Sequence, residues 1–187
     1  MRKIISSTYV SLDGVIEDPQ IWTPPFFGQE AAEYGRELLF SCDALLSGRE
    51  TYDAFAETWP AMEEQTGDFG ARMNSLPHYV VSDSLEKAEW GADDEIIKRA
   101  DTAAKIAELK ERDGQDILQY GFGVVSETLI EHGLLDELRL WIHPVIVGPD
   151  STSKLLSRNG FGASFELTDT RVFESGVIIA TYRPAAK

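Results

Sequence analysis

The sequence predicts an α/β protein: a mixed, mostly parallel sheet with flanking helices and antiparallel strands at its C-terminal end. Three observations lead there. Up to residue 132, short β-branched runs alternate with segments of helical periodicity, the pattern of parallel strands joined by crossover helices. Beyond residue 136 only strand patterns remain. Two buried strands also run through glycine directly into a helix. Apolar patterning continues from end to end without linker or repeat, so residues 1–187 are expected to form a single domain.

The elements follow in order. Residues 4–11 read as a β-branched strand closed by the turn pair Asp13-Gly14. A proline-rich loop with Trp22 comes next, and then a helix over 31–40, where Ala31, Tyr34 and Leu38 share a face. Residues 43–47 are a short buried strand ending at Gly48, and 49–57 a helix with Tyr52, Phe55 and Ala56 on one side. Residues 59–70 show no clear period. Strands are expected over 77–82 and 95–98, a helix over 102–112 stopped by Gly114, a strand over 117–120, and a helix over 124–132 ending at Gly133. Strands over 137–147, 165–173 and 177–182 complete the chain, and Glu174-Ser175-Gly176 turns the last two into a hairpin.

The formal net charge of −15 argues against nucleic acid or an anionic membrane as a partner, since both require a basic face. It leaves room for a nucleotide, because a few cations and helix starts can hold phosphates locally. No apolar run approaches the ~18 residues of a membrane span, and polar residues break any leader-like core, so a cytoplasmic protein is expected. The single cysteine, Cys42, has no partner for a disulfide or zinc site. His78, His132 and His143 have no metal-ligand spacing, and no metal is expected.

The two glycine junctions carry the chemistry. They are Leu45-Leu46-Ser47-Gly48-Arg49-Glu50-Thr51-Tyr52 and Leu118-Gln119-Tyr120-Gly121-Phe122-Gly123-Val124-Val125. At the carboxyl end of a parallel strand such a junction presents free N–H groups and a positive helix end. Glycine admits close approach of a phosphate. Arg49 adds a charge and Thr51 a hydroxyl. A lone junction is more often an ordinary turn; the pair raises the nucleotide reading above that. A Rossmann fingerprint is weak, because Ser126 stands where its third glycine would be.

Further motifs occur in a recognisable order: Ser11-Leu12-Asp13-Gly14; Gly48-Arg49-Glu50-Thr51-Tyr52; Val80-Val81-Ser82; Gly121 with the helix to Gly133-Leu134-Leu135-Asp136-Glu137; and His143-Pro144-Val145-Ile146-Val147-Gly148. Together they resemble the dihydrofolate reductase-like superfamily, specifically the branch of the riboflavin-pathway reductase (RibD C-terminal domain). The resemblance covers residues 4–182. It implies a three-layer dihydrofolate reductase-like fold and an NADPH-dependent reductase acting on a pyrimidine-like, pteridine-like or simple carbonyl or imine substrate. It places Gly48, Arg49 and Thr51 on the NADPH phosphates and Ser82 near the adenosine 2′-phosphate. Gly121, Phe122, Gly123 and Val124 line the pyrophosphate and nicotinamide side, and Asp13 faces the substrate. It also implies a homodimer. Many relatives carry a base after the serine, where this chain has Asp83. An acid there would repel a 2′-phosphate, so NADH stands as the alternative cofactor.

Hydride transfer needs orientation and a proton source but no protein nucleophile, in keeping with a sequence that has no nucleophile–base constellation. Asp13 is the candidate catalytic residue, holding the substrate or relaying a proton; the competing reading is an Asp-Gly turn residue. Trp22 is a candidate to stack on a flat substrate or to cap the core. Lys154 and Arg158 are the cations available for a sugar phosphate. Trp59, Trp90 and Trp141 are expected to pack, and Asp93-Asp94-Glu95 to form a surface loop. The rival function is a non-catalytic nucleotide-binding or interaction protein that retains the fold.

Overall fold

The computed structural model describes residues 1–150, 153–156 and 160–185. The chain forms two compact units, Met1–Ile4 with Gly35–Tyr120, and Ile5–Tyr34 with Gly121–Lys187.

In the first unit the strands are β2 (Cys42–Gly48), β3 (His78–Val81), β4 (Glu95–Ile97) and β5 (Asp116–Tyr120). They lie in the order β4-β3-β2-β5, all parallel. Parallel strands are covered on both faces, so they read as continuous apolar runs, and Leu45, Leu46, Val80, Ile117 and Leu118 are all buried. Each such side chain contributes roughly 1.5–3 kcal/mol by leaving water. The helices are α3 (Arg49–Thr66), α4 (Asp68–Ser75) and α5 (Thr102–Glu111), the last burying Ile106 and Leu109 as its spacing predicts.

Residues 59–70, which show no period, are mostly helix. α3 runs through Pro60 to Thr66, and Gly67, at φ 60°, breaks it and starts α4. Few of these residues are buried, so the segment carries little amphipathic signal. Two short helical segments also fall in the proline-rich loop: α1 (Pro19–Trp22) and a 3₁₀ turn, Pro24–Phe26.

In the second unit, β1 (Ile4–Val10, almost all in this unit) pairs parallel with β6 (Glu137–Ile142). β6 pairs antiparallel with β8 (Ile178–Pro184), and β8 with β7 (Phe165–Val172). The helix α6 (Val124–Glu131) belongs here too, while α2 (Gln29–Phe40) begins in this unit and ends in the first. The expected strand over 137–147 stops at Ile142. His143 still donates its N–H to Val10, but Pro144 has no N–H for a ladder. Gly176 turns the hairpin as expected, its N–H donated to Phe173. The core gathers Ala31, Trp141, Phe173, Val177 and Ile179, with Tyr9, Phe26 and Tyr34 packed against them. Trp141 meets Tyr34 edge-on at 5.1 Å and Tyr9 at 5.2 Å, and its indole N–H bonds Ser7 Oγ at 2.9 Å.

Candidate functional site

The first glycine junction is built as its sequence predicts. β2 ends at Gly48 and α3 starts at Arg49, with no side chain capping the helix start. The positive end of the helix dipole lies at this junction. Gly48 lies in register with Val81 of β3, and the Ser82 N–H bonds the Ile97 carbonyl at the end of β4. The carboxyl ends of three parallel strands thus bring Arg49, residues 82–86 and Lys98 together. Arg49 donates from Nη1 to Ser84 Oγ at 2.7 Å and from Nε to Asp53 Oδ2 at 3.1 Å. Thr51 stands half-buried in the first turn of α3. A cavity of about 530 Å³ opens beside these strand ends, lined by Asp83, Ser84, Leu85, Glu86, Ile96 and Lys98.

Ser82 is 2% exposed, and its hydroxyl accepts the N–H groups of Ser84 and Leu85. It shapes the loop that presents Ser84. Asp83 turns toward the chain after β4: its Oδ1 accepts the Arg99 N–H at 3.0 Å, and Lys98 Nζ donates to its carbonyl at 3.1 Å.

The second junction lies in the other unit. Gly121, at φ 83°, takes a left-handed conformation that glycine alone adopts freely. Its N–H bonds the Ser7 carbonyl, and its carbonyl accepts Ser6 Oγ at 3.0 Å. Phe122 is half-buried. A side chain built at Gly123 would meet nothing within 4 Å, so its backbone is openly approachable. Ser126 Oγ accepts the Gly123 N–H at 3.3 Å, closing the first turn of α6, and Val124 there is exposed.

Asp13 is engaged by three donors. Oδ1 accepts Ser11 Oγ at 2.6 Å and the Val147 N–H at 3.1 Å, and Oδ2 accepts the Gly148 N–H at 2.8 Å. These bonds, that of Ser11 foremost and then that of Gly148, lower its pKa to about 2. Backbone bonds from Leu12 to Val145, Leu156 to Gly14 and Ile16 to Lys154 join the same two segments, and Lys154 N–H reaches Glu17 Oε2. The turn after β1 is thus sewn to the segment after β6, and Leu12, Ile146 and Val147 stand exposed along the join. Arg158 lies outside the described residues.

Trp22 is buried, its indole N–H bonding the Glu17 carbonyl at 2.9 Å and its ring edge-on to His143 at 5.3 Å. His143 is buried too. Its Nδ1 lies 2.8 Å from the Trp141 carbonyl, which can only accept, so Nδ1 carries the proton. Burial pushes its pKa down, against the pull of that bond. The neighbouring Tyr9 is pushed up to about 12 by burial.

The sequence did not reveal one polar cluster of the first unit. Asp94, placed above in a surface loop, is half-buried as a residue, but its side chain is only 1% exposed. Oδ1 lies 3.0 Å from His78 Nδ1, and Oδ2 accepts Tyr52 Oη at 2.8 Å and the N–H groups of Trp90 and Gly91. Burial opposes its ionisation, but the bonds from His78, Gly91 and Tyr52 outweigh that and hold the carboxyl well below the usual range. Trp90 stacks on His78 at 3.9 Å. His78 and Asp94 are sixteen residues apart and meet only because the chain after β3 folds back before β4; no spacing rule would have found them. Among the described residues no group of three or more His, Cys, Asp or Glu could hold a metal, and no helix is long and apolar enough to cross a membrane.

With this geometry in place, known proteins can be set beside the chain. The model of the RibD C-terminal domain matches residues 2–179. The chain belongs to the RibD C-terminal domain family. Within that family and fold, it is 27% identical over 194 residues to the uncharacterized protein YyaP of Bacillus subtilis (strain 168), covering 97% of this chain and 94% of that protein. A putative riboflavin biosynthesis protein from Shewanella sp. PV-4 superimposes with a TM-score of 0.71 at 21% identity, over 98% of this chain and 99% of the other. Dihydrofolate reductase from Enterococcus faecalis, in complex with NADP(H), gives 0.62 at 15% identity, over 98% and 97%. This RibD-type chain therefore has the dihydrofolate reductase-like fold that its motifs imply.

Proposed function

We propose that the protein is an NADPH-dependent reductase that delivers a hydride to a small heterocycle, pyrimidine- or pteridine-like, or to a related carbonyl or imine. The observation that carries this reading is the donor set at the carboxyl ends of β2, β3 and β4. There Ser84 and Lys98 line a cavity of about 530 Å³, and Arg49, at the start of α3, holds the Ser84 hydroxyl. In open parallel sheets, nucleotides bind outside those strand ends. Membership in a reductase family and a dihydrofolate reductase-like fold support it.

The residues fit a nicotinamide dinucleotide. Gly48, Arg49 and Thr51 would hold its phosphates, with Ser84 and Lys98 toward the adenosine and Ser82 bracing their loop. In the second unit Gly121, Phe122, Gly123 and Val124 are the candidates for cofactor contact, and the backbone at Gly123 is open to close approach. When bound, NADPH supplies the hydride. Asp13 stays ionised at neutral pH, so its part is to orient the Val147–Gly148 backbone beside the substrate, while the proton comes from water. Trp22 supports the same region from within the core. A reductase drawing on NADPH would work in the cytoplasm. We also propose a homodimer, on the strength of the sheet-end strand β7, which is exposed along nearly its whole length.

One observation favours a second reading, a nucleotide-binding protein without catalysis: the only sequence-predicted catalytic group, Asp13, is engaged by the Ser11 hydroxyl and two backbone N–H groups. Thermal melting with NADPH, NADH and no ligand tests both, because a ligand of the folded state raises the midpoint. Cofactor oxidation is then followed at 340 nm across pterins, folates, pyrimidines and simple carbonyls. A raised midpoint with turnover supports the reductase. A raised midpoint without turnover on any of these supports the binding protein, and no shift with either cofactor removes the reductase and favours an interaction protein that retains the fold.

A further inference from the structure

Asp94 does more than pair with His78: it fixes two aromatic residues of a second cavity. That cavity, of about 310 Å³, is lined by Tyr52, Ala56 and Pro60 of α3 and by Glu89 and Trp90 of the chain between β3 and β4. Its size is at the lower end of small-molecule sites. Both rings are held before anything binds. The Tyr52 hydroxyl donates to Asp94 Oδ2 at 2.8 Å and accepts the Trp90 N–H at 3.0 Å. Trp90 stacks on His78 at 3.9 Å, and Asn74 Oδ1 accepts its indole N–H at 2.8 Å. The contacts of Trp90 with Tyr52 and Phe55 are tilted and edge-on, so among the described residues only His78 lies flat against it. Side chains held this way lose little freedom when a ligand arrives.

The charge around these rings is predominantly of one sign. Against the effect of burial, the bonds from His78, Gly91 and Tyr52 keep Asp94 ionised, and its Oδ2 bonds both lining aromatics. Glu89 stands in the lining itself. It meets Lys87 Nζ at 3.8 Å, both groups being well exposed, a pairing worth little in water. Beyond Arg49, α3 adds five acids and no base. Aromatic faces attract cations through their quadrupole, and nearby carboxylates add to that attraction. The polar atoms of the two rings are already used within the cluster. A primary ammonium brings three donors that need acceptors, whereas a fully methylated one brings none.

We propose that this cavity binds a small methylated ammonium ion, with Trp90 and Tyr52 as its aromatic walls and Glu89 as its counter-charge. It shares no residue with those assigned to cofactor or substrate, so the site does not rest on the reductase reading.

The whole protein is titrated with tetramethylammonium chloride, which replaces sodium chloride at constant ionic strength so that screening does not change. Binding is followed by ¹⁵N NMR on the indole N–H signals of the four tryptophans, identified by sequential assignment. The Trp90 signal should shift and saturate below about 100 mM. tert-Butanol, of similar shape without the charge, should bind about threefold to thirtyfold more weakly. Glu89→Gln should weaken tetramethylammonium about twofold to fivefold, the size of an exposed charge pair. Ala56→Leu fills the cavity from a half-buried helix position, leaves both aromatics in place, and should abolish the Trp90 response. Ligand-free melting of each variant checks folding, and if Ala56→Leu fails to fold, Glu89→Gln and the tert-butanol comparison still decide. A shift that stays linear to about 100 mM would overturn the proposal. So would equal binding of tert-butanol, an undiminished response in folded Ala56→Leu, or wild-type affinity in Glu89→Gln.

Discussion

Asp13 gains its role from what an ionised carboxylate can accept. Three donors converge on it, and each bond is stronger to the anion than to the neutral acid, so the pKa falls from 3.8 to about 2. A group whose pKa is lower in the folded than in the unfolded chain stabilises the fold fully above its unfolded pKa. That contribution is lost as pH falls through the folded value. Asparagine at this position offers one acceptor and turns an NH₂ group toward a backbone N–H. Asp13→Asn should therefore melt below wild type at neutral pH, with the gap narrowing as pH drops below about 4. Melting curves of both proteins across that range check it. A gap that stays constant into acid would mean that the carboxylate's charge plays no part in holding Val147 and Gly148.

Asn74 shows how elements without an amphipathic stripe can still be fixed. Its side-chain N–H groups reach the Trp59 carbonyl at 3.3 Å and Glu63 Oε2 at 2.7 Å, both on α3, and its Oδ1 accepts the Trp90 indole N–H at 2.8 Å. One α4 residue thus ties that helix to α3 and to the Trp90 that covers His78. Truncating it strands the Trp90 indole N–H, at roughly 1–3 kcal/mol. Asn74→Ala should accordingly lower the melting midpoint by about 2–12 °C for a chain of this size. It should also shift tryptophan emission; an unchanged midpoint would mean that α4 is held by other contacts. The same segment marks where the sequence stops being legible. Strands β1, β2 and β5 could be read because burial on both faces makes them continuous apolar or β-branched runs, and helices α5 and α6 because burial of one face imposes a period. Residues 59–75 are largely exposed, and a helix crossing Pro60 contradicts local propensity. The site divides the same way. Gly48 and Gly121 announce their junctions in the chain itself. Ser84 and Lys98 join the cavity only through the register of β3 with β4, and that register is not written in any local pattern.

For the whole molecule, the charge of −15 and the proposed homodimer pull against each other. β7 lies at the end of its sheet order, with Leu167 and Val172 exposed on it and Ile178 on the adjoining β8. Open strand edges with apolar side chains are templates for pairing unless charges blunt them. Here Glu166 is matched by Arg183 across the pair, with Asp169 and Arg171 of opposite sign further along, so the surface is locally near-neutral within a strongly acidic chain. Apolar burial would then drive pairing at β7, while long-range repulsion between two acidic copies opposes it. Salt separates the two effects. The screening length falls from about 30 Å at 0.01 M to about 10 Å at 0.1 M, which weakens the repulsion, whereas apolar burial is little changed. Light scattering should therefore show the dimer fraction rising with sodium chloride over that range. Leu167→Glu with Val172→Glu should give monomer at both salt concentrations, with the melting midpoint checked to confirm folding. A dimer that dissociates as salt rises would place opposite charges, not the apolar edge of β7, at the heart of the interface.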